Sequence, residues 1–190
     1  FIAKPRVAVG GEGIILVKNE KQIKKIPQKK YLVQEYIRGK PYSASILVGK
    51  EIKILSINTQ EMKNFKYRGA KIPIPYKNTD EIIKAVEKIK GLHGYVGVDF
   101  IIDHNGNVSI IEINSRPTSP IMGLNKVYGF NISNLILKNH LDKKIPNFKP
   151  KRAIFLKKVE GKPKNNFVSY RNYSIIFKEI KKIRLLKTVL

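Results

Sequence analysis

Asp99, Glu112, Asn114 and Arg116 are residues whose types and spacing suit a definite chemistry. Two carboxylates and an amide oxygen are the hard oxygen donors that Mg²⁺ prefers, with phosphate oxygens and water completing its octahedron. An arginine two residues beyond the amide places a forked cation where phosphate would sit. Whether these groups meet depends on the backbone between them. Residues 95–103, then His104-Asn105-Gly106-Asn107, then residues 108–114 read as a hairpin, because Asn-Gly supplies the two positive-φ residues of a type I′ turn. With His104 facing Asn107, Asp99 falls opposite Glu112 and Gly97 opposite Asn114. Side chains alternate along a strand, so Asp99, Glu112 and Asn114 share a face. Facing carboxylates repel, and a divalent cation removes that penalty. The alternative is a pair of solvated hairpin acids. Against it, Ile101 and Ile110 lie on the same face in this register and are apolar.

The elements that would carry this hairpin are legible in outline. Residues 1–5, 12–18, 31–37 and 42–48 are short β-branched or aromatic runs bounded by Gly or Pro, and Gly49-Lys50 turns the last of them into a further strand over 51–57. Ile82, Ile83, Val86 and Ile89 recur at helical spacing over 79–90, with Asn78 placed to cap and Gly91 to end the helix. A second helix is predicted over 132–141. Residues 1–145 read as one region and residues 146–190 as a basic C-terminal extension, with alternating or apolar segments at 153–158 and 173–178 and no fold assigned to it. The chain opens inside a strand without an initiator Met, which leads us to expect a missing N-terminal region.

Composition narrows the classes. The 38 Lys and Arg outnumber the 14 Asp and Glu, giving a formal charge of +24 over 190 residues. Such a balance attracts polyanions. Lys is dispersed along the chain, however, and few aromatics are interleaved with it, so the surface-solvating role of Lys is the preferred reading and no specific nucleic-acid partner is expected. The absence of Cys excludes disulfides, thiolate metal sites and cysteine nucleophiles. No apolar stretch approaches the ~20 residues of a membrane helix, so a soluble, cytoplasmic protein with no membrane partner is expected.

Gly97-Val98-Asp99-Phe100 followed by Glu112-Ile113-Asn114-Ser115-Arg116-Pro117 resembles the metal-binding hairpin of the ATP-grasp enzymes. The resemblance runs over about residues 1–140. It implies an α+β fold of antiparallel sheets with packed helices, holding ATP between two subdomains. It implies further that Asp99, Glu112 and Asn114 hold two Mg²⁺ ions on ATP, or Mn²⁺ in their place, with Glu112 bridging and Arg116 at the γ-phosphate or acyl phosphate. Lys4-Pro5-Arg6 through Gly10-Gly11-Glu12-Gly13 is similar to the family's strand and glycine-rich flap, whose backbone N–H groups close on phosphates while Lys4 neutralises an oxygen. By itself the glycine run is compatible with ordinary hairpin geometry. Gln34-Glu35-Tyr36-Ile37 resembles the segment whose backbone reads the adenine edge, with Leu32, Ile37 and Ile111 as apolar walls. Lys40-Pro41 stands where many members carry a ribose-binding acid, a departure that leaves the ribose contact unassigned.

Within the family, Ser56-Ile57-Asn58-Thr59-Gln60, Phe65-Lys66-Tyr67-Arg68-Gly69 and the loop from Arg116 to Leu124 look similar to an archaeal branch of carboxylate–amine ligases. That resemblance implies small-molecule acid and amine substrates, glutamate and tyramine being the candidates, and the acid activated as an acyl phosphate. Arg68 and Arg116 are then expected to act in catalysis by clamping a substrate carboxylate, while Asn58, Gln60 and Tyr67 orient the amine. For each of these residues taken singly, loop hydrogen bonding is the simpler alternative. A homodimer, a non-catalytic ATP-binding module and a basic nucleic-acid-binding protein remain as other options.

Overall fold

The computed structural model describes residues 1–8, 10–163, 167–170 and 172–180. Three sheets and four helices make up this part of the chain. In order, the elements are β1 (Ile2–Pro5), β2 (Ile15–Leu16), α1 (Glu20–Lys24), β3 (Tyr31–Gln34), β4 (Lys40–Val48), β5 (Ile52–Thr59), β6 (Glu61–Lys63), β7 (Lys66–Ile72), α2 (Asp80–Glu87), β8 (Gly94–Ile102), β9 (Val108–Asn114), α3 (Ile121–Tyr128), α4 (Ser133–His140), β10 (Ile154–Glu160), β11 (Phe167–Tyr170) and β12 (Tyr173–Glu179). All strand pairings are antiparallel. The expected α+β class with antiparallel sheets is what the chain adopts.

The central sheet runs β5-β4-β8-β9 and is assembled from two hairpins joined through β4 and β8. One face carries Ala44, Ile46, Ile57, Val96, Val98 and Phe100 and is covered by the amphipathic α2, whose Ile82 and Val86 are fully buried. The other face is divided. At one end Leu47, Leu55 and Tyr95 pack with α3, α4 and the strands β7 and β10 into a second core. At the other end the side chains turn polar: Ser43, Ser45, Ser56 and Asn58 are all buried. A buried polar patch on a sheet face costs stability unless it is paired, so its position marks where the fold serves something other than packing.

A five-stranded sheet, β11-β12-β10-β7-β6, lies over that second face, and a three-stranded sheet, β2-β1-β3, carries the N-terminal residues. Strands from both sides of residue 146 share the five-stranded sheet, since β10 pairs with β7 and buries Ile154 and Leu156 in the second core.

Several local expectations are corrected. The strand over 12–18 shortens to Ile15–Leu16, because the glycines before it form a turn instead. Asn78 does not cap α2, which starts after Thr79 without a side-chain cap. Residues 66–72 form β7, where the sequence reading assigned no element, and residues 121–128 form α3, whose first half falls in the segment from Arg116 to Leu124 read as a loop. In each, a glycine disguises the element. Gly69 lets β7 approach the Leu156 carbonyl, and Gly123 lets α3 sit on the Ile154 and Ile72 side chains.

Candidate active site

The β8–β9 hairpin places Asp99 opposite Glu112 and Gly97 opposite Asn114, as its spacing predicts. It arrives there by a different route. The turn is not a two-residue type I′ turn: the Asp103 N–H donates to the Asn107 carbonyl, Gly106 N–H donates to the Asp103 carbonyl, and Gly106 alone in the loop has positive φ, at 86°. This is a three-residue loop with glycine at the left-handed position. The Asp103 carboxylate accepts from the backbone N–H groups of Asn105 and Asn107 and from the Asn107 amide, which locks the tip. Pairing near the turn is therefore offset by one residue, with Phe100 opposite Ile110. A bulge between Asp99 and Phe100, with Ile111 as the extra residue, restores the predicted pairing at the acids. One consequence corrects the sequence reading. Ile110 packs with the Phe100 core on the opposite face and is not a neighbour of Asp99.

Across the sheet, Asn58, Ser43, Asp99 and Glu112 form one row, and Ser56, Ser45, Gly97 and Asn114 the next. Gly97 is required by its partner above: a Cβ there would overlap the Thr118 side chain, so the loop carrying Arg116 crosses the sheet at a position without a side chain. Tyr95 ties the same corner by donating to Ser45 Oγ at 2.8 Å, with Thr118 Oγ1 3.4 Å away.

Asp99 is half-buried, Asn114 is buried and Glu112 is exposed. Burial pushes the Asp99 carboxyl up, the Glu112 charge adds to this, and its pKa reaches about 6 in spite of the Gln60 hydrogen bond and the Arg116 and Lys4 charges. Gln60 Nε2 donates to Asp99 Oδ1 at 2.8 Å. That contact differs from the amine-orienting role expected of Gln60, whose donor is committed to the acid; the proximity was hidden because the two residues are 39 apart in sequence. Lys4, on β1, is close enough to act on Asp99 electrostatically, so the N-terminal sheet reaches the hairpin.

The remaining sequence candidates divide into two groups. Gly10, Gly11 and Gly13 all have positive φ and form a turn, and Gly11 lies so close to the Phe65 carbonyl that any side chain would overlap it. Gln34 ends β3, Glu35 and Ile37 follow it outside any strand, and the exposed Tyr36 ring meets Phe65 edge to face at 6.4 Å. Leu32 is exposed and pairs with Lys4, so the two share a face, while Ile111 is half-buried at the bulge. The glycine turn and the segment after β3 thus converge on Phe65, a contact the sequence did not announce. Phe65 and Asn64 both adopt positive φ at the β6–β7 turn, an uncommon conformation for a bulky residue. Arg116 is exposed and donates to the Pro117 carbonyl at 3.3 Å.

Tyr67 and Arg68 lie on β7 under this edge. The Tyr67 phenol is pushed well up by burial, with the Asp99 and Glu61 charges adding to it. Arg68 is the extra residue of a bulge between β6 and β7, where Glu61 pairs with Gly69 and Met62 with Tyr67. Asn58 Nδ2 lies 3.4 Å from the Ser43 carbonyl and 3.5 Å from Ser43 Oγ, and donates to them. A separate groove of about 490 Å³ between α4 and residues 143–148, lined by Phe130, Leu137, Lys138 and Phe148, stands apart from this constellation.

Comparisons with known proteins bear on the whole. A family model described as an ATP-grasp domain matches residues 1–120. The tyramine–L-glutamate ligase of Methanocaldococcus jannaschii is 42% identical over 113 residues, which cover 57% of this chain and 36% of the relative. The tetrahydromethanopterin:α-L-glutamate ligase of the same organism is 30% identical over 154 residues, covering 72% of this chain and 52% of the relative. The N5-carboxyaminoimidazole synthetase of Staphylococcus aureus, solved with ADP, superposes with a TM-score of 0.79 at 18% identity over 96% of this chain and 57% of that one. The chain therefore spans about a third to a half of the length of the curated relatives it matches.

Proposed function

The chain belongs to the ATP-grasp family, and on that premise we propose that it forms the catalytic part of an ATP-dependent ligase. The reaction passes the γ-phosphoryl group of ATP to a carboxylate, and the resulting acyl phosphate is attacked by an amine, with ADP and phosphate released. The observation that carries this reading is the placement of Asp99 opposite Glu112 on one sheet face with Asn114 beside them and the Lys4 and Arg116 charges acting on Asp99.

The donor set suits Mg²⁺. Two carboxylates and an amide are oxygen ligands, and Asp99, raised first by burial and then by the facing Glu112 charge, is a group that a cation beside it would favour in its charged form. These three donors do not fill an octahedron, which leaves positions for phosphate oxygens, as a nucleotide-borne ion requires. Bound there, Mg²⁺ would neutralise charge on the β- and γ-phosphates. Lys4 and Arg116 supply fixed positive charge for the oxygens of the departing γ-phosphoryl, Gln60 holds Asp99 in place, and the Gly10–Gly13 turn offers backbone donors above. The segment Gln34–Ile37 presents main-chain groups for adenine, with Leu32, Ile37 and Ile111 as apolar neighbours. No side-chain nucleophile is needed. Both curated relatives carry glutamate in their names, and that similarity supports glutamate as the acid, while the more identical of the two supports tyramine as the amine.

Acid labelled with heavy oxygen in its carboxylate tests the route. The full-length protein should pass one labelled oxygen to inorganic phosphate, and Glu112→Gln should release no phosphate. Label recovered in AMP, alongside pyrophosphate, would show that activation proceeds by adenylation.

A further inference from the structure

Ser56 Oγ, Asn58 Oδ1, Tyr67 OH and Arg68 Nε are buried side-chain atoms without a hydrogen-bond partner among the described residues. Their residues sit on only two strands, β5 and β7, which pack on one another. The strands are held in place by the Ile74 N–H donating to the Ile57 carbonyl and the Lys71 N–H donating to Thr59 Oγ1. An orphaned buried polar atom has lost its hydrogen bonds to water with nothing in return, so natural chains rarely gather several. Here they adjoin the candidate active site, because Asn58 lies in the sheet row of Asp99 and Tyr67 is within electrostatic reach of that acid. Ser56 is 4% exposed and Asn58 fully buried, so water does not satisfy them from outside.

The chemistry of the set is specific. Arg68 Nε–H, the Tyr67 hydroxyl and the Ser56 hydroxyl can all donate, and Arg68 adds a positive charge. Asn58 Oδ1 only accepts, its amide nitrogen being turned to Ser43. Bulges next to functional sites re-aim side chains, and Arg68 is the extra residue of one. Three donors with a fixed cation match a carboxylate, and one buried acceptor beside them matches an ammonium group.

We propose that Ser56, Asn58, Tyr67 and Arg68 form a subsite for the α-amino and α-carboxylate groups of a dicarboxylic amino acid. A carboxylate held by an arginine and two hydroxyls is pinned and charge-neutralised, so it is the non-reacting one; the side-chain carboxylate is left to face the phosphates. This deepens the ligase reading and rests on it.

Isothermal titration of the full-length protein with Mg²⁺ and a non-hydrolysable ATP analogue, using L-aspartate, L-glutamate, glutarate and 4-aminobutyrate as probes, tests the subsite. One of the two amino acids should bind. Glutarate, which lacks the ammonium group, and 4-aminobutyrate, which lacks the α-carboxylate, should each bind at least tenfold more weakly than L-glutamate if that is the acid, and not measurably if it is L-aspartate. Arg68→Gln should weaken the amino acid at least tenfold and leave the ATP analogue within twofold, and Tyr67→Phe, which keeps the ring packing, should weaken it about threefold. Analogue binding without binding of either amino acid sinks the subsite and spares the ligase reading. Glutarate binding as tightly as the amino acid, wild-type affinity in both variants, or equal weakening of amino acid and analogue would also overturn it. Failure to bind the ATP analogue brings down both readings.

Discussion

Asp99 shows how a single residue can be stable only in company. Its pKa, raised by burial and by Glu112 to about 6, means that the folded chain holds a proton there that the unfolded chain has already lost. Stability therefore falls as pH rises from the ordinary carboxyl range through about 6, the reverse of an acid in a salt bridge. The shift corresponds to at most about 3 kcal/mol. In the absence of metal and nucleotide, Asp99→Asn, which keeps an acceptor for Gln60, should be more stable than wild type at about pH 8 and equal to it near pH 4 in urea unfolding curves. Equal midpoints at both pH values would show that Asp99 is not under strain. If Asp99 is the Mg²⁺ ligand proposed above, saturating Mg-ATP should narrow or reverse the gap, because the ion would then stabilise the wild type more. At this scale the sequence was readable where chemistry lies close along the chain: Asp99, Glu112, Asn114 and Arg116 fall within 18 residues. Gln60 was expected to orient the amine and Arg68 to clamp a carboxylate, while Ser56 was named only within a segment; what each faces depends on which strand lies opposite, and residue types do not encode that.

Elements were readable where their signal is periodic and unreadable where a glycine interrupts it. The hairpin of β8 and β9 is instructive because its pairing at the acids was predicted through a turn it does not have. The longer loop and the Asp99 bulge each shift register by one, in opposite senses, so the acids meet while Ile110 moves to the other face. The loop closed by Asp103 sets the offset locally, and the bulge that undoes it at the acids accompanies the packing of Phe100 and Ile110 in the core beneath α2, which no local pattern reports. Gly69 and Gly123 hid their elements for the same reason that Gly97 is needed: each permits a close approach by another segment. Gly97→Ala should destabilise the chain by about 1–3 kcal/mol, as overpacking does. Adding Thr118→Ala, which removes the atoms in the way, should recover part of the loss in chemical denaturation. A Gly97→Ala chain as stable as wild type would mean that the Arg116 loop does not rest on the sheet there.

For the whole molecule, the charge of +24 was legible at once and its meaning was not. The 38 basic residues are dispersed along the chain, and only Lys4, Arg68 and Arg116 among them are assigned to the candidate site, which fits surface solvation as the role of most of the rest. Fluorescence titration with random oligonucleotides should give weak binding that falls steeply with salt, as counterion release dictates; tight, sequence-selective binding at physiological salt would require a nucleic-acid role. After residue 146 the sequence showed alternating or apolar segments at 153–158 and 173–178 without a fold for them and no sign of β11, and the pairing of β10 with β7 was hidden, since nothing local names a partner some 80 residues away. The same separation in the central sheet has a kinetic corollary. Its two hairpins join neighbours in sequence, but the seam between β4 and β8 joins residues about 50 apart. Hairpins close in microseconds and wider loops close at a greater entropic cost, so the hairpin bearing the acids can be complete before the seam exists. Pulse-labelled hydrogen exchange during refolding should then protect the β8–β9 amides ahead of those between β4 and β8. The proposed metal ligands would be assembled early as a local unit, and the polar row from Asn58 to Asp99, which crosses the seam, would be the last part of the candidate site to acquire its shape.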